Sequence, residues 1–206
     1  MGWIFTPWGY RVEVDDGERS LPPIVEPEQL YELTQGRFGP DTPGVGSVLA
    51  GVSAAIRSAC GWHVAPSLRC KVRTSGAGRI ITLPALLVTG VESVTEAGLE
   101  LSDGAYEWDV TGMLRRCQWR SWPSAFGSVA VEYEAGIPLE TAPDLAVVAA
   151  QIAVNAIASP AGVRQESAGD VSITYNQTGT GVSGGVRLLD SDLMMLAPYR
   201  LERTWS

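Results

Sequence analysis

The stretch SVAVEYEAG, residues 128–136, alternates without interruption: Val131 and Tyr133 fall on one side, Glu132 and Glu134 on the other. A period of two is the mark of a half-buried strand, with the carboxylates on the solvent face. The same period runs backward to Leu68 through LRCKVRT, RIITLP, VESVTEAG, LELS, AYEWDV and GMLRRC. These runs are separated by Gly, Pro or Ser-Asp, and EAGLE and SDG are turn signals. Residues 68–134 therefore read as a small antiparallel sheet of about five to seven strands. In AYEWDV, Glu107 and Asp109 are assigned to solvent and Trp108 to the sheet interior.

On either side of this region the period changes. From Ser47 to Cys60, residues Val48, Val52, Ile56 and Ala59 share one helical face, and Gly61 is placed to end the helix in a left-handed conformation. A second helix is expected over Thr141–Ser159, with Thr141 and Asp144 as a capping pair and Pro143 in its first turn. Apart from Gln151 and Asn155, every residue from Leu145 to Ala158 is apolar. A helix apolar almost all round is buried almost all round. In a chain this size the economical burial is against a neighbouring subunit, which assigns Val148, Ile152, Gln151 and Asn155 to a subunit–subunit helix. A short helix is expected at Pro27–Thr34 and a last one near Leu188–Leu196.

The expected fold class is thus α+β: a helical bundle core with an inserted small antiparallel β-sheet and extended N- and C-terminal arms. Residues 1–41 form the N-terminal arm and short helix. Residues 42–159 form the core, with the sheet at 68–134 and the long apolar helix at 141–159. Residues 160–206 hold a strand, a Gly-rich hinge and the terminal helix. Within that tail, Val171–Tyr175 alternates with glycines on both sides and has no evident strand to pair with.

Composition narrows the function. The 206 residues are 45% hydrophobic and 18% charged, with a net charge of −8. Residues 1–41 carry three Arg against eight Asp or Glu, and Lys71 is the single lysine. Non-specific binding to a nucleic-acid backbone depends on Lys and Arg contacts, so that class is disfavoured. The longest apolar run, Leu145–Ala158, falls short of the roughly 18 residues of a membrane span. The start MGWIFTPWGY carries no secretory signal, and the unpaired thiols Cys60, Cys70 and Cys117 point to a reducing compartment. Gly2 and Thr6 match the myristoylation pattern, but an aromatic arm that docks on protein is the simpler reading of these residues.

No motif supplies catalysis. Cys60, His63, Cys70 and Cys117 are spaced 3, 7 and 47 residues apart, unlike the paired close ligands of a zinc finger. A Cys60–His63 nucleophile lacks an orienting group and an oxyanion loop. Gly179, Gly181 and Gly184 fit a dinucleotide fingerprint, but no second β-strand follows them, so they read as a hinge. Lys71 lies in a strand, outside any phosphate-binding loop. The expectation is no catalytic, cofactor or metal site. The exposed aromatics Trp3, Phe5 and Trp8, with Trp205 at the other end, instead suggest contact surfaces.

Several stretches, taken in order, resemble a family. They are AAIRSACGWHVAPS (54–67), RIITLPALLVTGVESVTEAG (79–98), YEWDVTGMLRR (106–116), WPSAFGSVAVEYEAGI (122–137), PDLAVVAAQIAVNAIASPAGVRQESAGDVSITYN (143–176) and LLDSDLMMLAPYRL (188–201). Together they resemble the head-to-tail adaptor, or head-tail connector, proteins of tailed bacteriophages. The resemblance implies a structural virion protein at the head-tail junction, assembled in the host cytoplasm as a homo-oligomeric ring of usually twelve copies. It implies as partners the portal protein and a tail-completion, stopper or tail-terminator protein, with DNA passing through the lumen without specific binding and no membrane. On this reading Val171, Ile173, Tyr175, Leu188, Leu196, Tyr199, Arg200 and Trp205 meet the portal or a neighbouring copy. The lumen is expected to be acidic or neutral, not lined by Arg115, Arg116 and Arg120. The alternatives are a head-closure stopper ring or other neck protein, and an enzyme or metal module built on Cys60 and His63.

Overall fold

The computed structural model describes residues 1–76, 78–158, 166–168, 171–173 and 186–202, the two short segments 166–168 and 171–173 by their backbone only. The chain divides into two compact units. One comprises residues 1–22, 60–142 and 197–206, and the other residues 23–59 and 143–196.

The first unit is built on a six-stranded antiparallel sheet. Its strands are β1 (Gly2–Phe5), β2 (Tyr10–Val14), β3 (Leu68–Thr74), β5 (Val88–Glu96), β6 (Leu99–Glu100) and β9 (Val129–Ala135), in the spatial order β1-β2-β3-β9-β5-β6. The alternating SVAVEYEAG run becomes β9, paired with β3 on one side and β5 on the other. Its inward residues Val129, Val131, Tyr133 and Ala135 are fully buried, as are Val12 of β2, Cys70 of β3 and Val88 and Val94 of β5. A second, three-stranded sheet comprises β4 (Ile80–Thr82), β7 (Tyr106–Trp108) and β8 (Met113–Arg116), in the order β4-β8-β7. Its apolar side is buried through Ile81 and Leu114. Trp122 is also buried, donating Nε1–H to Leu114 O at 3.3 Å. A side chain at Gly76 would put its Cβ 2.2 Å from the Cβ of Trp122, so only glycine lets the indole close on that backbone.

This architecture corrects the expected helical bundle core. The sheet is not an insert but the body of its own unit, with its own apolar face. The N-terminal arm is not an extended arm: β1 and β2 form a hairpin that adds to β3, in the register Tyr10↔Val72, Arg11↔Lys71 and Val12↔Cys70. The physical reason is the alternation of YRVEV, which buries Tyr10, Val12 and Val14 and turns Arg11 outward. Trp108 is a second correction. It sits on the edge strand β7, has a neighbouring strand on one side only, and remains 38% exposed.

The second unit holds the helices α1 (Pro27–Leu33), α2 (Val45–Cys60, whose last residue belongs to the first unit), α3 (Pro143–Ala158) and α4 (Asp190–Leu196). Helix α1 packs on α3, and α3 on α4. Pro27 opens α1, where Gln29 Oε1 accepts from the Glu26 backbone N–H at 3.1 Å. Gly61, at φ 78°, terminates α2 in the left-handed conformation its position predicts. The Thr141 hydroxyl does not cap α3; it donates to Pro138 O at 2.8 Å. On α2, Ser53 Oγ accepts from the Ile24 backbone N–H at 2.8 Å and donates to Leu49 O at 2.7 Å, which fixes the bend carrying buried Ile24 and Val25.

In the core of the first unit, the Tyr133 hydroxyl is buried with no hydrogen-bond partner among the described residues. Replacing both members of a hydrogen bond by apolar groups is nearly neutral, whereas one orphaned buried group costs about 1–3 kcal/mol. Tyr133→Phe is therefore expected to stabilise the protein by about 1 kcal/mol. Equilibrium urea unfolding checks this; a loss of stability would show that the hydroxyl is paired.

Candidate functional site

Of the residues that sequence reading offered for catalysis or metal binding, Cys60 and His63 lie at a structural junction, whereas Cys117 lies just beyond β8, its N–H donating to Ala105 O at 3.1 Å. His63 is fully buried just beyond α2. Its Nε2 lies 2.8 Å from Ala135 O, and a carbonyl can only accept, so the proton is on Nε2. Nδ1 lies 2.9 Å from the Tyr10 hydroxyl, and the same hydroxyl accepts from the His63 backbone N–H at 3.0 Å. Trp62, also fully buried, meets the imidazole edge-on with centroids 5.3 Å apart. The turn is drawn tight beside Gly136, at φ 126°, where a Cβ would lie 2.3 Å from Pro66 O.

The chain returns to this junction from its far end. Trp62 Nε1–H donates to Tyr199 O at 2.8 Å, and the Leu201 N–H donates to Cys60 O at 2.8 Å. Burial pushes the Cys60 thiol up to about 11 and the Cys70 thiol up to about 12. Both stay protonated at neutral pH, whereas the thiolate is the nucleophile and the metal ligand. No group of three His, Cys, Asp or Glu side chains placed to hold a metal ion occurs among the described residues.

The outer face of the six-stranded sheet carries an ion-pair ladder. Arg69 Nε donates to Glu92 Oε1 at 2.8 Å and Nη1 to Glu13 Oε2 at 3.0 Å, while Lys71 pairs with Glu132. The Glu92 hydrogen bonds raise the Arg69 pKa above its ordinary value. Toward the opposite end of β3 the arginines have no carboxylate partner among the described residues, the nearest acidic side chain in the Arg73 row being Glu100, three strands away on β6. Arg73 lies level with Ala130 of β9, donating Nη2–H to Gly127 O at 3.3 Å. Arg11 lies level with Phe5 of β1, its guanidinium 4.2 Å from that ring's centroid. A cleft of about 660 Å³ opens there, lined by Arg11, Lys71 and Arg73 with Phe5 and Phe126. Phe5 is 74% exposed and Phe126 is completely exposed. Sequence reading missed this cleft because it left residues 1–26 outside the sheet; the alternation Arg11-Val12-Glu13 was the available signal.

The residues assigned to contacts fall in several places. Trp3 and Phe5 are exposed on the edge strand β1, whereas Trp8 is half-buried and stacked on Tyr10. On α3, Val148 and Ile152 are buried within the chain, but Gln151 and Asn155 are exposed and bonded to each other at 3.2 Å. They continue an exposed stripe with Asp144, Val147 and Ala158, and Val147 is 51% exposed. Leu196 is fully buried, Leu188 and Tyr199 are half-buried, and Arg200 is exposed. On α4, Leu193, Met194 and Met195 present the exposed apolar surface that sequence reading overlooked. Strand β11 (Val171–Ile173) is not alone: it pairs antiparallel with β10 (Glu166–Ala168), in the register Glu166↔Ile173. Tyr175 and Trp205 lie outside the described residues. Of the three arginines excluded from the lumen, Arg115 is paired with Glu107 and Arg116 is buried against Glu96, 2.8 Å from its Oε2. Arg120 is exposed.

No protein-family model matches the chain, and no curated protein does. The fold does have solved counterparts. A chain in the neck of a native GTA (gene transfer agent) particle, computed with C12 symmetry, superposes with a TM-score of 0.56 at 13% identity. The match covers 91% of this chain and 96% of that one. A chain in the neck of an empty GTA particle, computed with C6 symmetry, gives a TM-score of 0.48 at 15% identity over the same shares.

The geometry of the junction makes two outcomes testable. Tyr10→Phe leaves the His63 backbone N–H and Nδ1 without the hydroxyl that serves both, and is expected to cost about 2 kcal/mol in urea unfolding. In the folded protein at pH 8, iodoacetamide is expected to spare Cys60 and Cys70, with any labelling confined to the half-buried Cys117. Peptide mass mapping reads this; modification of Cys60 or Cys70 before unfolding would contradict the buried-thiol reading.

Proposed function

We propose that the chain is a structural subunit of the neck of a phage-like particle, a head-to-tail adaptor assembled as a homo-oligomeric ring. The observation that carries this reading is the superposition, nearly end to end, on a neck chain of a GTA particle. The ordered sequence resemblance to head-to-tail adaptors of tailed phages points the same way. On this reading the ring holds twelve copies, joins the capsid portal to a tail-completion, stopper or tail-terminator protein, and lets DNA pass through its lumen without specific binding. The protein is non-enzymatic and resides in the virion at the head-tail junction.

Two exposed surfaces support the reading. The α3 stripe, with Val147 beside Gln151 and Asn155, suits a neighbouring copy. The exposed Leu193, Met194 and Met195 of α4 suit a protein partner, because flexible thioethers fill irregular contact surfaces. The β10–β11 pair supplies a third contact. A two-stranded hairpin alone is marginal in water, so it gains by adding to another sheet edge. We assign Val171 and Ile173 to that addition on the portal or the adjacent copy, with Leu188, Tyr199 and Arg200 alongside. Each backbone bond contributes only about 0.5–1.5 kcal/mol, so one arm binds weakly and a ring of arms binds through effective concentration.

Cryo-electron microscopy of the purified chain mixed with its portal tests the reading directly. The expected result is a closed ring seated on the portal. A ring seated only on the far side of another neck component would favour a stopper. Ile173→Pro removes a ladder donor and fixes φ. That variant is expected to keep its thermal melt and lose portal docking; unchanged docking would remove the strand from the contact.

A further inference from the structure

The outer face of the six-stranded sheet is polarised along its strands. At one end Glu13 and Glu92 surround Arg69, and β2 runs on into the turn Asp15-Asp16-Gly17-Glu18, closed by Glu18 N–H to Asp15 O at 3.1 Å. Asp15, Asp16 and Glu18 are all exposed, with Asp16 paired to the Met1 ammonium at 2.5 Å and Asp15 and Glu18 in no ion pair among the described residues. At the other end lie Arg11 and Arg73, which have no carboxylate partner among the described residues, with Lys71 between them and Glu132. This is the exception within the first unit's strands, where Arg69, Arg115 and Arg116 are each matched to a glutamate. Four residue steps of β2 separate Arg11 from Asp15, about 13 Å at the rise of a strand.

We propose that the cleft formed by Arg11, Lys71 and Arg73 receives the Asp15–Glu18 turn of a second copy of this chain, with Phe5 and Phe126 closing over it. Charge complementarity selects the occupant. The chain has a net charge of −8, its acidic turn is an exposed, hydrogen-bonded β-turn, and its cleft gathers two guanidinium groups without a carboxylate partner among the described residues. Guanidinium forks bind carboxylates bidentately, which fixes orientation as well as attraction. The exposed rings exclude water from those contacts, which strengthens them. The inference rests on the ring reading above: a closed ring is made of head-to-tail contacts, in which two different patches of each subunit meet. An acidic patch and a basic patch at opposite ends of one strand satisfy that requirement.

The test is a charge swap on the full chain, read by mass photometry. The variant Arg11→Glu/Arg73→Glu makes both patches acidic, and Asp15→Arg/Asp16→Arg/Glu18→Arg makes both basic. Each alone is expected to lose assembled particles by about tenfold or more at low salt. Mixed one to one, they are expected to restore assembly, because every acidic cleft then meets a basic turn and every basic cleft an acidic turn. Circular dichroism and thermal melts establish that both variants fold, and the mixing step itself requires it. If the wild type assembles and the variants do so equally, or the mixture fails to recover, the proposal is overturned while the ring reading stands. A wild type that stays monomeric, alone and with its portal, overturns the ring reading and this contact with it. A fluorescent DNA duplex is the control for the other anion that three cations could hold. If Arg11→Glu/Arg73→Glu abolishes duplex binding and leaves assembly intact, the cleft is a phosphate site and the proposal fails.

Discussion

The buried imidazole of His63 is the constraint on which the sheet unit depends. It joins β2, through the Tyr10 hydroxyl, to the end of β9, through Ala135 O, from a turn that is itself bonded to that hydroxyl. Each polar atom is buried, so each hydrogen bond is strong and each loss is costly. The inward alternation of β2, β3 and β9 brings these groups to one place, and the Trp62 bond to Tyr199 O then ties in the returning chain. A histidine three positions after a cysteine suggests chemistry; here it serves as a fastening of the fold.

Much of this architecture was legible in the sequence. The alternation of 128–136 gave β9, and the four helices fall within a few residues of their expected bounds because their apolar periods and breakers agree, as with Gly61 at the end of α2. What failed was the hierarchy. The long apolar helix suggested a bundle, yet the sheet holds its own buried face. That outcome depends on YRVEV joining β3, a pairing across more than fifty residues that no local pattern announces. The role of His63 was hidden for the same reason: its partners lie 53 and 72 positions away. The strand at 171–173 seemed to lack a partner because Glu166-Ser167-Ala168 has no apolar alternation to mark it.

The distribution of charge separates two tasks. Arg69, Lys71 and Arg115 are matched by glutamates in solvent-exposed pairs, which add little stability, and the buried Arg116 is matched by Glu96. They keep an acidic protein's few cations from acting as a general phosphate-binding surface. Among the described strand residues, the arginines without a carboxylate partner, Arg11 and Arg73, lie at one end of one face.

The bond from the Leu201 N–H to Cys60 O also sets an order of events during synthesis. Strands β1 and β2 emerge from the ribosome long before residues 199–201, whose contacts complete their unit and which follow the whole second-unit segment 143–196. Pairings this distant in sequence are slow to form and leave strand edges open while they wait. A nascent chain released only as far as β9 has its sheet but not its closing segment. The unit can therefore be finished only once residue 201 has been made, so it waits, incomplete, through the synthesis of the whole second-unit segment.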